Sequence, residues 1–185
     1  MIPISEFRKG LHIKVEGEVY TIIEMQHHKP GKGGAMMRTK LKSVMTGRVF
    51  EKTFHGGDKV EEAELENRKS QYVYRNGAEY CFMDMETYEQ VSFSAEDIGE
   101  GAGFLKENTE VTFLLYEGKV IGIEIPRTVE LKVTYTEPGR RGDTVTNVLK
   151  PAIVETGREI QVPLFINTGD TIIVDTQTGK YVERK

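Results

Sequence analysis

The feature of this sequence that most constrains its fold is a succession of short segments in which apolar and polar residues alternate. Such alternation is typical of strands with one buried face, because successive side chains of a strand point to opposite sides. Turn-forming residues separate the segments, and only residues 94–98 carry a helical pattern, with Ser94 as the N-cap. The clearest strand places four side chains on one face: Val129, Leu131, Val133 and Tyr135. The pattern predicts an all-β protein made of small barrels.

Charge is unevenly distributed along the chain. Residues 1–64 carry 11 Lys/Arg and 9 Asp/Glu, residues 65–127 carry 6 and 12, and residues 128–185 carry 8 and 8. These breaks predict three domains with the same bounds. Residues 27–59 alone carry 8 Lys/Arg against 2 Asp/Glu. Because exposed charges are screened beyond about 10 Å, this stretch can attract phosphate although the whole chain is acidic.

Several classes of protein are excluded by what the sequence lacks. No run of about 18 apolar residues and no signal-peptide pattern occurs, which predicts a cytoplasmic protein with no membrane partner. The single cysteine, Cys81, lies in an apolar run and is predicted to be buried, so no disulfide framework is expected. His27 and His28 would point to opposite faces of a strand, so no metal site is predicted. No catalytic motif is present, and the chain is not predicted to be an enzyme.

A glycine-rich turn with a lysine at its apex is the strongest candidate for a functional site. Lys32 lies between two strand patterns, and its neighbours favour tight turns without bulky side chains: Pro30, Gly31, Gly33 and Gly34. The tip of such a hairpin could enter a narrow channel. On the returning strand three basic residues share a parity and therefore a face: Arg38, Lys40 and Lys42. They could form a phosphate track that leads to the tip.

From the turn alone, several interpretations of Lys32 stay open. It could be an ordinary solvated lysine in a flexible turn. It could carry biotin or lipoate, as in the carrier domains of enzyme complexes. A small barrel with a basic groove could also be a general binder of single-stranded nucleic acid. A phosphate-binding P-loop is excluded, because its spacing requires Gly at 26 and Ser or Thr at 33, where this chain has Gln26 and Gly33.

An ordered set of motifs resembles the bacterial translation elongation factor P family along the whole chain. The motifs are Lys-Pro-Gly-Lys-Gly at 29–33, Glu-Lys-Thr-Phe at 51–54, Gln-Tyr-Val-Tyr at 71–74, Phe-Met-Asp at 82–84, Thr-Tyr-Glu-Gln at 87–90, Phe-Leu-Lys-Glu-Asn at 104–108, Thr-Glu-Pro-Gly at 136–139, Gly-Asp-Thr at 142–144, Lys-Pro-Ala at 150–152, Thr-Gly at 156–157 and Val-Pro-Leu-Phe-Ile at 162–166. Any one of them could arise by chance, whereas the ordered set could not.

The resemblance implies a fold and a function. The fold would be an SH3-like (KOW-like) barrel followed by two OB-fold barrels, with an elongated, tRNA-like shape. The protein would be a monomer that needs no cofactor and binds the ribosome between the peptidyl and exit sites. There it would contact rRNA and peptidyl-tRNA and relieve stalling at consecutive prolines. Lys32 would reach toward the CCA end of the peptidyl-tRNA, where it would position the substrates for a reaction that the ribosome performs.

The resemblance also implies roles for particular residues. Lys32 could be extended by a modifying enzyme with a β-lysyl or an aminopentanol group, whereas the rhamnose found on arginine tips is excluded. A loop would approach the exit-site codon through Gly142, Asp143 and Thr144, although Val148 and Leu149 are more apolar than the small, glycine-rich stretch often found there. The remaining candidate RNA contacts are Lys29 beside the tip, with Tyr181 and Arg184 near the C-terminus.

Overall fold

The structure is a computed structural model that describes residues 1–139 and 148–185. Within these residues the chain forms sixteen strands, one short helix and two 3-10 turns. The helix, α1 (Ala95–Ile98), lies where the sequence predicts it, and the Ser94 hydroxyl accepts a hydrogen bond from the Asp97 amide at 3.2 Å. The strands form three antiparallel sheets, which confirms the all-β prediction.

The first sheet contains the N-terminal six strands in the order β1-β6-β2-β3-β4-β5. Its strands are β1 (Ile2–Pro3), β2 (His12–Val15), β3 (Glu18–His28), β4 (Met36–Ser43), β5 (Val49–His55) and β6 (Lys59–Glu62). Ile13, Ile22 and Leu41 have no exposed surface and form the centre of the core. Phe7 and Phe54 pack edge to face beside them, with ring centroids 5.1 Å apart.

The second sheet has the order β11-β10-β7-β8-β9. Its strands are β7 (Glu66–Asn76), β8 (Glu79–Asp84), β9 (Gln90–Ser94), β10 (Glu110–Tyr116) and β11 (Lys119–Glu124), and the 3-10 turn Glu100–Phe104 precedes β10. Aromatic rings fill the interior around Phe82, which contacts Tyr72 and Phe93. Cys81 is buried as a free thiol, as predicted.

The third sheet has the order β14-β13-β12-β15-β16. Its strands are β12 (Thr128–Thr136), β13 (Leu149–Val154), β14 (Glu159–Pro163), β15 (Thr171–Asp175) and β16 (Tyr181–Arg184). The predicted alternation holds from Val129 to Val133 but is wrong for Tyr135, which is 57% exposed, while Thr136 is buried. The register shifts between Val133 and Tyr135, and the extra residue of this bulge turns Tyr135 outward.

The described chain divides into two compact units that are both discontinuous in sequence. One unit contains Met1–Arg68 and Phe113–Ile123, and the other contains Lys69–Thr112 and Glu124–Lys185. In the first unit, the backbone of Gly122 lies so close to Val44 that a Cβ on Gly122 would be 2.5 Å from the Val44 carbonyl oxygen. Residue 122 can approach Val44 this closely because glycine has no side chain. The division at residues 64 and 127 stays a prediction.

In the second unit, Phe104 belongs to the core of the third sheet although it precedes that sheet by more than twenty residues. It is 2% exposed and packs with the buried aliphatic side chains of β12 to β15. The Thr156 hydroxyl donates to the Gly103 carbonyl at 2.7 Å, and the Arg158 guanidinium lies 5.3 Å from the Phe104 ring centroid. A 3-10 turn thus supplies a core residue to a sheet formed later in the chain.

No helix in the described residues is long and apolar enough to cross a membrane.

Replacing Phe104 by Ala is expected to lower the free energy of unfolding by about 3–5 kcal/mol, because it removes a buried aromatic ring and leaves a cavity. Urea titration followed by circular dichroism measures this change. Phe165→Ala is the matched control, since Phe165 is 57% exposed and its ring contacts Arg184. The control should cost about 1 kcal/mol or less. Equal losses in the two variants would contradict the role of Phe104 in the core.

Candidate functional site

The hairpin of β3 and β4 is symmetric about Lys32. The paired residues are His28 with Met36, Gln26 with Arg38, and Glu24 with Lys40, so each pair lies equally far along the chain from residue 32. The side chains of the last three residues of β3 are exposed. Lys32 is therefore the central residue of a hairpin whose end extends beyond the buried core.

The loop that joins these strands, residues 29–35 and hereafter the tip loop, leaves Lys32 open to solvent. Lys29, Lys32 and the glycines of the loop are exposed. Gly33 has a φ of 134°, a conformation that residues with a Cβ rarely adopt. In the part of the chain that the structure describes, no ion pair or hydrogen bond is formed by the Lys32 side chain. Its amine is free to react or to contact a partner.

The basic residues of β4 share one face, as predicted. Met37, Thr39 and Leu41 are buried on the opposite face, while Arg38 and Lys42 are exposed and Lys40 is half-buried. Cross-strand pairing places Gln26 and Thr53 on either side of Arg38. Together with their neighbours on β3 and β5 these side chains form a shallow polar surface, here called the outer face.

Lys40 differs from the other two basic residues because it is paired. Its Nζ lies 3.0 Å from an oxygen of Glu24, and Glu51 is its cross-strand neighbour on β5. The hydrogen bond from Lys40 to Glu24 and the attraction of both carboxylates raise the pKa of Lys40. Across residues 1–139 and 148–185, no carboxylate lies within ion-pair distance of Arg38 or Lys42. The charge count covered residues 27–59 and therefore omitted Glu24. Pairing the strands symmetrically about Lys32 would have placed Glu24 opposite Lys40.

The root of the tip loop contacts a second turn, residues 55–58, hereafter the support turn, which sequence analysis did not single out. The Gly56 amide donates to the Ala35 carbonyl at 2.7 Å. The support turn is closed by two hydrogen bonds, from the Asp58 amide to the His55 carbonyl at 2.9 Å and from the His55 amide to the Asp58 carboxylate at 2.8 Å. Two consecutive glycines indicate a turn in the sequence but give no sign of this contact.

The C-terminal candidate residues lie in the other compact unit. Tyr181 is half-buried against the core of the third sheet. Arg184 lies 3.8 Å from an oxygen of Asp170 and 5.3 Å from the ring centroid of Phe165. Gly142, Asp143 and Thr144 lie outside the described residues.

The described residues contain no group of three or more His, Cys, Asp or Glu side chains that could hold a metal ion.

Three family models match successive segments of the chain. Residues 3–60 match the elongation factor P KOW-like domain, residues 65–123 match the elongation factor P OB domain, and residues 129–184 match the elongation factor P C-terminal domain. The class of protein is therefore a translation elongation factor with a KOW-like domain and OB domains.

Full-length relatives identify the family. Elongation factor P of Pelotomaculum thermopropionicum is 52% identical and that of Moorella thermoacetica 53% identical over 184 residues, with complete coverage of both chains in each comparison. This chain belongs to the elongation factor P family. Members of this family act in translation with the ribosome and are not a family of enzymes or of cofactor-dependent proteins. Among solved structures, eukaryotic translation initiation factor 5A from Methanococcus jannaschii matches with a TM-score of 0.49 and 24% identity, covering 66% of this chain and 92% of that one.

On the hypothesis that the cations of the outer face contact phosphate, two substitutions are expected to have opposite effects on ribosome affinity. Arg38→Gln should weaken binding and reduce the slope of log affinity against log salt by about 1, because one phosphate contact is lost. Glu24→Gln should strengthen binding and steepen the slope, because it removes the carboxylate that pairs with the Lys40 ammonium and leaves only Glu51 beside it. Ribosome affinity measured between 50 and about 200 mM salt tests both changes.

The control for Glu24→Gln is Glu16→Gln, which alters net charge equally at an exposed turn residue before β3. Equal gains in affinity for the two glutamine variants would mean that only net charge matters, and would contradict a specific role of the Lys40 pair.

Proposed function

We propose that this protein binds the ribosome between the peptidyl and exit sites and stimulates peptide-bond formation at consecutive prolines through Lys32. The observation that carries the proposal is the position of Lys32, which is exposed at the centre of a hairpin and has no side-chain partner among the described residues. The family resemblance supplies the ribosomal location.

Positioning is the chemistry that such a tip can provide. Proline is a poor substrate for peptide-bond formation, because its ring fixes φ and its nitrogen is secondary. A cation held beside the CCA end of peptidyl-tRNA can keep the reacting groups in a productive geometry, which removes part of the entropic barrier. The glycines around Lys32 add no bulk, so the loop can enter a narrow site between nucleotides. The ribosome forms the bond, and the protein holds its substrate.

The outer face provides the contacts that deliver the tip. Arg38 and Lys42 are exposed without carboxylate partners in the described residues, and Lys29 is exposed beside the tip. Phosphate contacts from such residues give affinity and orientation without sequence preference. In the C-terminal region, Gly142, Asp143 and Thr144 are proposed to approach the exit-site codon, and Tyr181 and Arg184 to contact RNA near the C-terminus, on the strength of the family resemblance.

We further propose that the chain acts as a monomer of three domains, with bounds 1–64, 65–127 and 128–185, in the cytoplasm where ribosomes work. The family matches begin and end close to these bounds.

Lys32→Ala is expected to abolish rescue of proline-stalled ribosomes while changing the free energy of unfolding by less than about 0.5 kcal/mol, because the side chain is exposed. The readout is the rate of synthesis of a peptide with three consecutive prolines, compared with a proline-free peptide. Lys9→Ala, which removes an exposed lysine from another turn, should keep full activity. Full rescue by Lys32→Ala would overturn the proposal. Binding of bare oligonucleotides without rescue would favour a general single-strand binder.

The intact mass of the protein from its native cells, with fragmentation of the peptide that contains Lys32, tests whether the amine is extended. An added β-lysyl or aminopentanol group on Lys32 is the expected result, because the exposed amine is accessible to a modifying enzyme. Biotin or lipoate on Lys32 would instead identify a carrier domain and overturn the proposed function.

A further inference from the structure

The support turn contacts the tip loop at the point where the loop rejoins the sheet. Ala35 is the last loop residue before β4, and its carbonyl accepts the 2.7 Å hydrogen bond from the Gly56 amide. The ladder between β4 and β5 ends one residue later in β4, at the pair Met36 and His55. The Gly56 bond therefore extends the fixed part of the hairpin by one residue toward Lys32.

The contact between the two backbones leaves little room for a side chain at residue 56. A Cβ on Gly56 would lie 3.3 Å from the Ala35 carbonyl oxygen and 3.5 Å from the Ala35 nitrogen. The distance to the oxygen is shorter than an ordinary van der Waals contact, while the distance to the nitrogen is an ordinary one, so a side chain at residue 56 would displace the loop root by a few tenths of an ångström. The neighbouring Gly57 has a φ of 108°, which also favours glycine.

Asp58 fixes the shape of the support turn. Its carboxylate accepts from the His55 amide, while its own amide donates to the His55 carbonyl. These reciprocal bonds close the turn around Gly56 and so determine the direction of the Gly56 amide. A tip loop with three glycines has little stiffness of its own, because glycine gives the backbone wide conformational freedom. The position of Lys32 then depends on how firmly the loop root is held.

We propose that the support turn is a brace for the lysine tip, and that Asp58 is a positioning residue that acts on Lys32 through Gly56 and Ala35. This inference rests on the proposed function of Lys32. Catalysis by positioning is sensitive to small displacements of the positioned group, so a loose root lowers the reaction rate even when Lys32 is intact. The outer face is unaffected by the brace, so ribosome affinity does not depend on it.

The chain contains a matched turn that serves as a control. In residues 167–170 the Asn167 amide donates to the Asp170 carboxylate at 2.9 Å and the Asp170 amide donates to the Asn167 carbonyl at 3.1 Å. The third residue of that turn, Gly169, has a φ of 95°, close to that of Gly57. Asp170→Ala therefore removes the same kind of bond in the other compact unit.

The first experiment measures amide hydrogen exchange in the free protein, which does not depend on the ribosome. Asp58→Ala is expected to speed exchange of the Gly56 amide by about tenfold, the effect of losing a hydrogen bond worth ~1.4 kcal/mol. Asp58→Asn should restore slow exchange, because the amide oxygen of Asn accepts the same hydrogen bond. Asp170→Ala should leave the Gly56 amide unchanged. Unchanged exchange in Asp58→Ala would overturn the brace.

The second experiment measures the rate of peptide-bond formation on proline-stalled ribosomes at increasing protein concentration. Asp58→Ala and Gly56→Ala are expected to lower the maximal rate by about tenfold with an unchanged half-saturating concentration. Asp58→Asn and Asp170→Ala should keep the full maximal rate, and loss of the contact between Asp170 and Arg184 should change only the half-saturating concentration. In the Lys32→Ala background, Asp58→Ala should have no further effect, because both residues act through the same group.

The outcomes separate the brace from the function on which it rests. A full rate in Asp58→Ala, where Lys32→Ala abolishes the rate, would overturn the brace and leave the function intact. A full rate in Lys32→Ala would overturn the proposed function, and the exchange of the Gly56 amide would then decide the brace alone.

Discussion

The antiparallel ladder between β3 and β4 is the constraint on which the site depends. Its hydrogen bonds fix which residues face each other, and its register makes Lys32 the central residue of the connecting loop. A one-residue change of register would turn Arg38 and Lys42 inward and bring Met37 and Leu41 to the surface, which the burial of those apolar side chains forbids. The core of the first sheet thereby determines the register that positions the tip.

The same ladder also decides how much of the local positive charge is available to a partner. It brings Glu24 and Glu51 to either side of Lys40, so this lysine is compensated within the sheet. Arg38 and Lys42 have no carboxylate partner among the described residues, and Lys40 lies between them on β4. The β4 face therefore presents two cations without carboxylate partners in the described residues, on either side of a paired lysine, rather than three equivalent ones.

Much of the fold could be predicted from sequence because strand alternation and turn residues are local signals. The prediction failed where a distant contact or a local irregularity decides the outcome. Tyr135 is exposed because a bulge shifts its register, and alternation alone cannot locate a bulge. The placement of Lys32 followed from the turn-forming residues around it, and the shared face of the β4 cations followed from parity. The partner of Lys40 required strand pairing, and the contact of Gly56 with Ala35 required the position of one turn relative to another.

The incorporation of Phe104 into the core of the third sheet affects how the protein folds while it is being synthesised. Neither compact unit is continuous in sequence, since Phe113–Ile123 complete the first and Lys69–Thr112 begin the second. Phe104 therefore leaves the ribosome before the strands that bury it have been synthesised. Its apolar ring has no core to pack into until β12 to β15 have formed. Synthesis of the strands β12 to β15 therefore also completes the packing of Phe104, a residue made much earlier in the chain.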